Sequence, residues 1–182
     1  FCFMTEKSSS YSTNHVPPHD LDAERSVLGA LLLDGHGYAK VSDVGITSLD
    51  FYREANSKIF ESIQDLAAKS EPVDLITLTA VLKNKGQFES VGGNTFLTAL
   101  FDDSYSSAHI VHYAKIVKEK AILRRLIATS NDLINRAFTG VEDIEEFLDL
   151  AESQIFEVTD SKIRQSFVSL KEILMGNMQL VQ

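Results

Sequence analysis

Residues 108–138, AHIVHYAKIVKEKAILRRLIATSNDLINRAF, run without a glycine or a proline. Either residue would weaken or break a helix interior, so their absence over this length predicts one long helix or two nearly continuous ones. Gly140 breaks the pattern, and a second helix is expected from about Glu142 to Val158. On the first arm Ile116, Leu123, Ile127, Ile134 and Phe138 recur at spacings of seven, four, seven and four, a coiled-coil-like seam. The second arm answers with Ile144, Leu148, Ala151, Ile155 and Val158. A short break between two such helices reads as an antiparallel αα-hairpin, and the two seams are expected to face each other. A second stripe remains on the first arm, Ile122, Leu126, Leu133 and Ala137, while Phe147, Leu150 and Phe156 widen the apolar face of the other. Two facing helices cannot cover both stripes. Either the hairpin lies along the rest of the chain, or it meets another hairpin from a second subunit or a partner; association is the reading adopted.

The residues before the hairpin repeat the helical period on a smaller scale. Asp20 is a plausible N-cap, with Asp22 and Glu24 favourably placed in the first turn. Val27, Leu28 and Leu31 follow as a core stripe that Ala30, Leu32 and Leu33 widen, until Asp34-Gly35-His36-Gly37 breaks it. A short amphipathic piece, Tyr38 to Val44, comes next. The following helix contains Tyr52, Ala55, Ile59, Ile63 and Leu66, with Phe60 and Ala67 alongside. Pro72 ends it. Asp74 starts another, with a Val73–Leu78 staple, a stripe of Leu75, Leu78, Val81 and Leu82, and Gly86 as C′ residue. Gly92-Gly93 turns the chain into a helix carrying Phe96, Leu97 and Leu100. The fold class is therefore all-α: a small globular helical head over residues 20–118, then a long antiparallel helical hairpin over 119–160.

Both ends read differently from the middle. Residues 1–19 are Ser/Thr-rich and without period, a disordered arm whose Phe1-Cys2-Phe3, ahead of Met4, read as vector-derived. Residues 161–182 form a linker segment. Within it Ser169-Leu170-Lys171-Glu172 has the pattern of a capping box, and Val168 and Ile173 sit as its hydrophobic staple. Leu170, Ile173, Leu174, Met178 and Val181 then make one apolar stripe, so 169–182 is expected to be a separate amphipathic helix. A lone helix of that length is marginal in water. It either folds back on its own domain or docks elsewhere in a longer chain.

The chemistry that composition allows is narrow. The 26 acidic and 17 basic residues give a net charge of −9, which repels phosphate backbones and makes nucleic acid a poor direct ligand. The one cysteine, Cys2, rules out an internal disulfide framework or a cysteine metal cluster. No signal peptide or apolar membrane span is present, and the cytoplasm is the default compartment. There is no phosphate-binding loop of the Gly-x-x-x-x-Gly-Lys type and no His-Glu-x-x-His. His109 and His112 sit i, i+3 on a helix but lack a third ligand nearby, so exposed histidines are expected. Gly92-Gly93 reads as turn geometry, and Asp102-Asp103 as a solvated helix end. Glu142, Asp143, Glu145 and Glu146 suit their helix N-terminus. Lys118, Lys120, Arg124 and Arg125 form a basic cluster for which solvation is the simplest account. No catalytic, cofactor or metal residue is assigned.

Taken in order, several segments resemble the N-terminal domain of DnaB-type replicative DNA helicases. They are Leu21–Asp34 (LDAERSVLGALLLD), Phe51-Tyr52 followed by Ile59-Phe60, Pro72–Leu78 (PVDLITL), Gly86–Leu97 (GQFESVGGNTFL), Tyr113–Leu126 (YAKIVKEKAILRRL) and Phe147–Phe156 (FLDLAESQIF). The resemblance spans roughly Leu21 to Val158, and the helix from Ser169 falls where the family has its linker helix. Two positions depart from the usual pattern: Asn56 where histidine is frequent, and His109 where asparagine is common.

The resemblance implies a fragment that assembles and recruits and does not itself catalyse. In the family such domains pair through their hairpins into a collar on a hexameric ring, and a DnaG-type primase docks its C-terminal helical domain there. A RecA-like motor with ATP and Mg²⁺ follows the linker, and a helicase loader and single-stranded DNA belong to the parent ring. Ile122, Arg125, Leu126, Leu133, Phe147 and Leu150 are the residues expected to carry association, as a dimer for the fragment. Leu170, Ile173, Leu174 and Met178 are expected to dock on a neighbouring motor. Two other readings compete: a stand-alone adaptor that binds helicase or primase, and a collar that binds single strands directly.

Overall fold

The computed structural model describes residues 15–102 and 108–159. The N-terminal arm before His15 and the capping box and stripe of 169–182 lie outside the described residues. Every regular element among those described is helical. In chain order they are α1 (Leu21–Leu33), α2 (Gly37–Asp43), a single 3-10 turn (Ser48–Asp50), α3 (Glu54–Ala68), α4 (Leu75–Asn84), α5 (Gly93–Asp102), α6 (Ile110–Thr139) and α7, helical over 144–159.

Helix α1 is the axle of the head. Asp20 caps it by accepting the Ala23 N–H at 2.9 Å, and the chain leaves helical geometry at Asp34. Val27, Leu28 and Leu31 are wholly buried, and Ala30 and Leu32 nearly so; α1 packs against α3, α5 and α6 at once. Helix α3 brings Ile59, Phe60, Ile63 and Leu66 to the same core, α4 brings Leu78 and Leu82, and α5 brings Leu97 and Leu100. Removing side chains of this size from water stabilises the head by roughly 1.5–3 kcal/mol each. Asp74 caps α4, accepting the N–H groups of Ile76 at 2.9 Å and Thr77 at 2.8 Å. Gly86 ends that unit with φ +67, a conformation that suits glycine. Tyr52, expected inside a helix, stands just outside α3, because its N–H is taken by a carboxylate and not by the preceding turn.

The long glycine-free stretch is one uninterrupted helix. Its first turns belong to the head: Ile110, Ala114, Val117 and Ala121 are buried and lie on the side of α6 that packs on α1. Beyond Ala121 no described residue of α6 is buried, so the helix leaves the head there. Gly140, at φ +102, lets the chain reverse into α7.

Candidate association surface

The two arms lie side by side and antiparallel. A cavity of about 420 Å³ near the head is lined from both, by Arg125, Thr129, Asp132, Gln154 and Val158. Another of about 650 Å³ at the tip is lined by Arg136, Gly140, Glu146, Phe147 and Leu150. Half-buried or buried residues mark the crease between the arms: Ile122, Thr129 and Leu133 on α6, with Phe147, Ala151, Gln154 and Val158 on α7.

This reverses the expected choice of stripe on α6, while on α7 Ala151 and Val158 of the expected seam do lie in the crease. The seven-four seam, expected between the arms, points outward, and the stripe through Ile122 and Leu133 points inward. The reason is the rotation of α6 about its axis. Packing of Ile110, Ala114, Val117 and Ala121 on the head fixes that rotation. At about 100° per residue, Leu123, Ile127, Ile134 and Phe138 then face away from the head side. Ile144, Leu148 and Ile155 fall on the same side of the antiparallel pair. These seven side chains are between 45% and 86% exposed. Apolar side chains exposed together on one side of a domain are the pattern from which interaction sites are argued.

The residues singled out from sequence therefore divide. Ile122, Leu133 and Phe147 are half-buried in the crease between the arms. Leu126 and Leu150 stand at its edges, exposed enough to touch a partner. Arg125 turns to the head, its guanidinium 3.2 Å from Asp50 Oδ1.

That contact belongs to a polar knot at the hairpin root that sequence reasoning did not find. Asp50, at the end of the 3-10 turn, is buried. Its Oδ2 accepts from Lys118 Nζ at 3.0 Å and from the Thr47 N–H at 2.8 Å. Lys118 also donates to the Gly45 carbonyl at 2.6 Å. Arg124 donates to the Pro18 carbonyl at 2.8 Å and to the Asp50 carbonyl, and lies over the Tyr52 ring, which stacks on His19 at 4.3 Å. Burial draws the Arg124 pKa down, and the charges of Glu24 and Asp50 oppose that shift. Three of the four cations assigned to solvent are thus engaged with the head. The signal was available for Lys118, which lies on the same helical stripe as Ala114, Val117 and Ala121.

Beside it, Glu24 is a buried carboxylate. It accepts the Tyr52 N–H at 2.6 Å and Asn56 Nδ2 at 2.8 Å, tying α1 to the start of α3. Its placement one turn before Val27 and Leu28 puts it on the core stripe, a stronger clue than the helix dipole. Asn56, one of the two departures from the family pattern, serves here as that donor. His109 and His112 are exposed, and among the described residues no group of three His, Cys, Asp or Glu is arranged to hold a metal. Glu89 lies against Gly93 at the start of α5, its carboxylate 3.7 Å from where a Cβ would be, an arrangement unsuited to an anion. No helix among the described residues is long and apolar enough to cross a membrane.

Comparison with known proteins agrees with the fold and the sequence order. The family profile described as DnaB-like helicase N terminal domain matches residues 16–119. The replicative DNA helicase DnaB of Geobacillus stearothermophilus is 39% identical over 91% of this chain and 36% of its own length. The replicative DNA helicase DnaC of Bacillus subtilis is 38% identical over 88% of the chain and 35% of its length. The chain thus spans about a third of the length of these relatives. The crystal structure of the N-terminal domain of DnaB helicase from Mycobacterium tuberculosis superposes with a TM-score of 0.73 at 36% identity, covering 78% of this chain and 99% of that one. This chain belongs to the family of DnaB-like helicase N-terminal domains.

Proposed function

We propose that this domain is the collar of a replicative DNA helicase, and that the hairpin is the surface through which it assembles and recruits. The observation that carries the proposal is the open apolar face of Leu123, Ile127, Ile134, Phe138, Ile144, Leu148 and Ile155. Covering the exposed half of seven such side chains would contribute about 6–12 kcal/mol gross on each protomer. Association costs an estimated 4–15 kcal/mol in lost freedom, so a second copy of the hairpin can leave a net gain. In this reading the fragment forms a dimer and the parent a hexamer. Ile122, Leu133 and Phe147 lie between the arms and Leu126 borders the surface, while Leu150 stands at the opposite edge of the crease and Arg125 is held by the head.

A DnaG-type primase is the partner we assign to the outer hairpin near Leu150. Catalysis lies elsewhere: ATP and Mg²⁺ are bound by a RecA-like motor of the parent protein, single-stranded DNA is met only by the assembled ring, and a loader acts on that ring. Leu170, Ile173, Leu174 and Met178 dock on a neighbouring motor.

Titration of the primase C-terminal helical domain into this chain by calorimetry tests recruitment. Saturable binding by the native chain, weakened at least tenfold by Leu150→Asp, is expected. Absence of any binding by the native chain would remove primase from the account and leave assembly standing.

A further inference from the structure

The head holds the hairpin by two different means, and they meet at one place. Apolar packing of α6 on the head ends at Ala121, and two of its last pegs, Ala114 and Ala121, are small. Immediately alongside, three cations of α6, Lys118 and the adjacent Arg124 and Arg125, converge on the turn that bears Asp50. Lys118 and Arg125 take separate oxygens of its carboxylate, at 3.0 and 3.2 Å. Arg124 takes its backbone carbonyl and also the Pro18 carbonyl, so that the strap of residues before α1 is fastened to the same point. The His19–Tyr52 stack beneath Arg124 adds a second attachment for that strap. The Asp50 side chain is only 3% exposed, whereas that of Arg125 is 44% exposed.

Buried charge pairs hold geometry more than they add stability, because desolvation offsets most of their attraction. A carboxylate shared by two cations on one helix also restricts that helix in a way small apolar pegs cannot: tilting α6 lengthens one contact while compressing the other. We infer that the Asp50 clamp sets the angle at which the hairpin projects from the head, and that it is the joint at which this angle is reset. The accessible leg is Arg125. A carboxylate from outside can draw it away while Lys118 continues to hold Asp50. The orientation of the open apolar face is thereby coupled to the charges at the hairpin root and to the N-terminal strap.

The inference concerns a single protomer and stands whether or not the apolar face associates. Its test is the distance between spin labels at Ser42→Cys on the head and Thr139→Cys at the hairpin tip, in a Cys2→Ser background diluted with unlabelled chain. One narrow distance distribution is expected for the native clamp. In Asp50→Asn the distribution should at least double in width, with helical content unchanged and faster amide exchange over residues 117–126. Should Asp50→Asn fail to fold, Arg125→Gln and Arg124→Gln, which each leave the Asp50–Lys118 contact in place, decide the matter by the same measurement. An unchanged distribution in the folded variants overturns the inference.

Discussion

Glu24→Ala removes the buried carboxylate beside the polar knot, and its cost can be worked from the contacts. The carboxylate is 1% exposed and accepts two well-formed bonds, from the Tyr52 N–H at 2.6 Å and Asn56 Nδ2 at 2.8 Å. A third, from the Arg53 N–H at 3.4 Å, is long enough to neglect. Truncation leaves two donors without an acceptor in a region where Asn56 is wholly buried. Each unpaired buried donor costs about 1–3 kcal/mol, and relief of the carboxylate's own desolvation returns part of the sum. The net expectation is a loss of about 3 kcal/mol, a large share of the ~5–15 kcal/mol typical of a domain. Thermal unfolding followed by circular dichroism should show Tm lower by roughly 10 °C. Glu24→Gln retains one acceptor and should fall between the two. A loss below about 1 kcal/mol for the alanine variant would show that water replaces the carboxylate without penalty, and would refute the claim that Glu24 ties α1 to α3.

The remaining expectations are smaller and local. Asp74→Ala removes the cap of α4 and should cost about 1 kcal/mol in urea unfolding. The Thr77 N–H, and less strongly the Thr77 hydroxyl and the Ile76 N–H, hold the Asp74 carboxyl below its ordinary value of 3.8. A carboxylate with a depressed folded pKa stabilises fully above the unfolded value and loses that contribution as pH falls through the folded one. The native chain should therefore lose stability below about pH 4 more steeply than Asp74→Ala, which urea midpoints measured across that window will check. Ser70 adopts φ +57 after α3, a left-handed conformation costly for a residue with a side chain. Ser70→Gly should raise stability by about 0.5–1 kcal/mol, and a decrease in the urea midpoint would contradict this.

Much of the architecture was legible because the periodic signals were strong. Caps at Asp20 and Asp74 and breaks at Gly35, Gly86 and Gly140 stand where the sequence places them, since each rests on local backbone chemistry. The pairing of the hairpin stripes was not legible. Both stripes of α6 satisfy a helical period, and the choice depends on how far α6 is rotated by packing on a head remote in sequence. Asp50 was hidden for a related reason. Its partners Lys118, Arg124 and Arg125 lie far along the chain, and its 3-10 turn is too short to carry a pattern. Charges read singly favour solvent; two cations sharing one buried carboxylate, with a third on its backbone carbonyl, do not.

The central claim is that the outward face of the hairpin is an association surface. Sedimentation equilibrium of the native chain beside Leu148→Asp tests it most directly, because Leu148 is exposed on α7 and its replacement leaves the crease between the arms intact. The account predicts a dimer for the native chain and a monomer of unchanged helical content for the variant. A native chain still monomeric near 1 mM would limit the association to less than about 4 kcal/mol. That result, or a dimer indifferent to Leu148→Asp, would contradict the account.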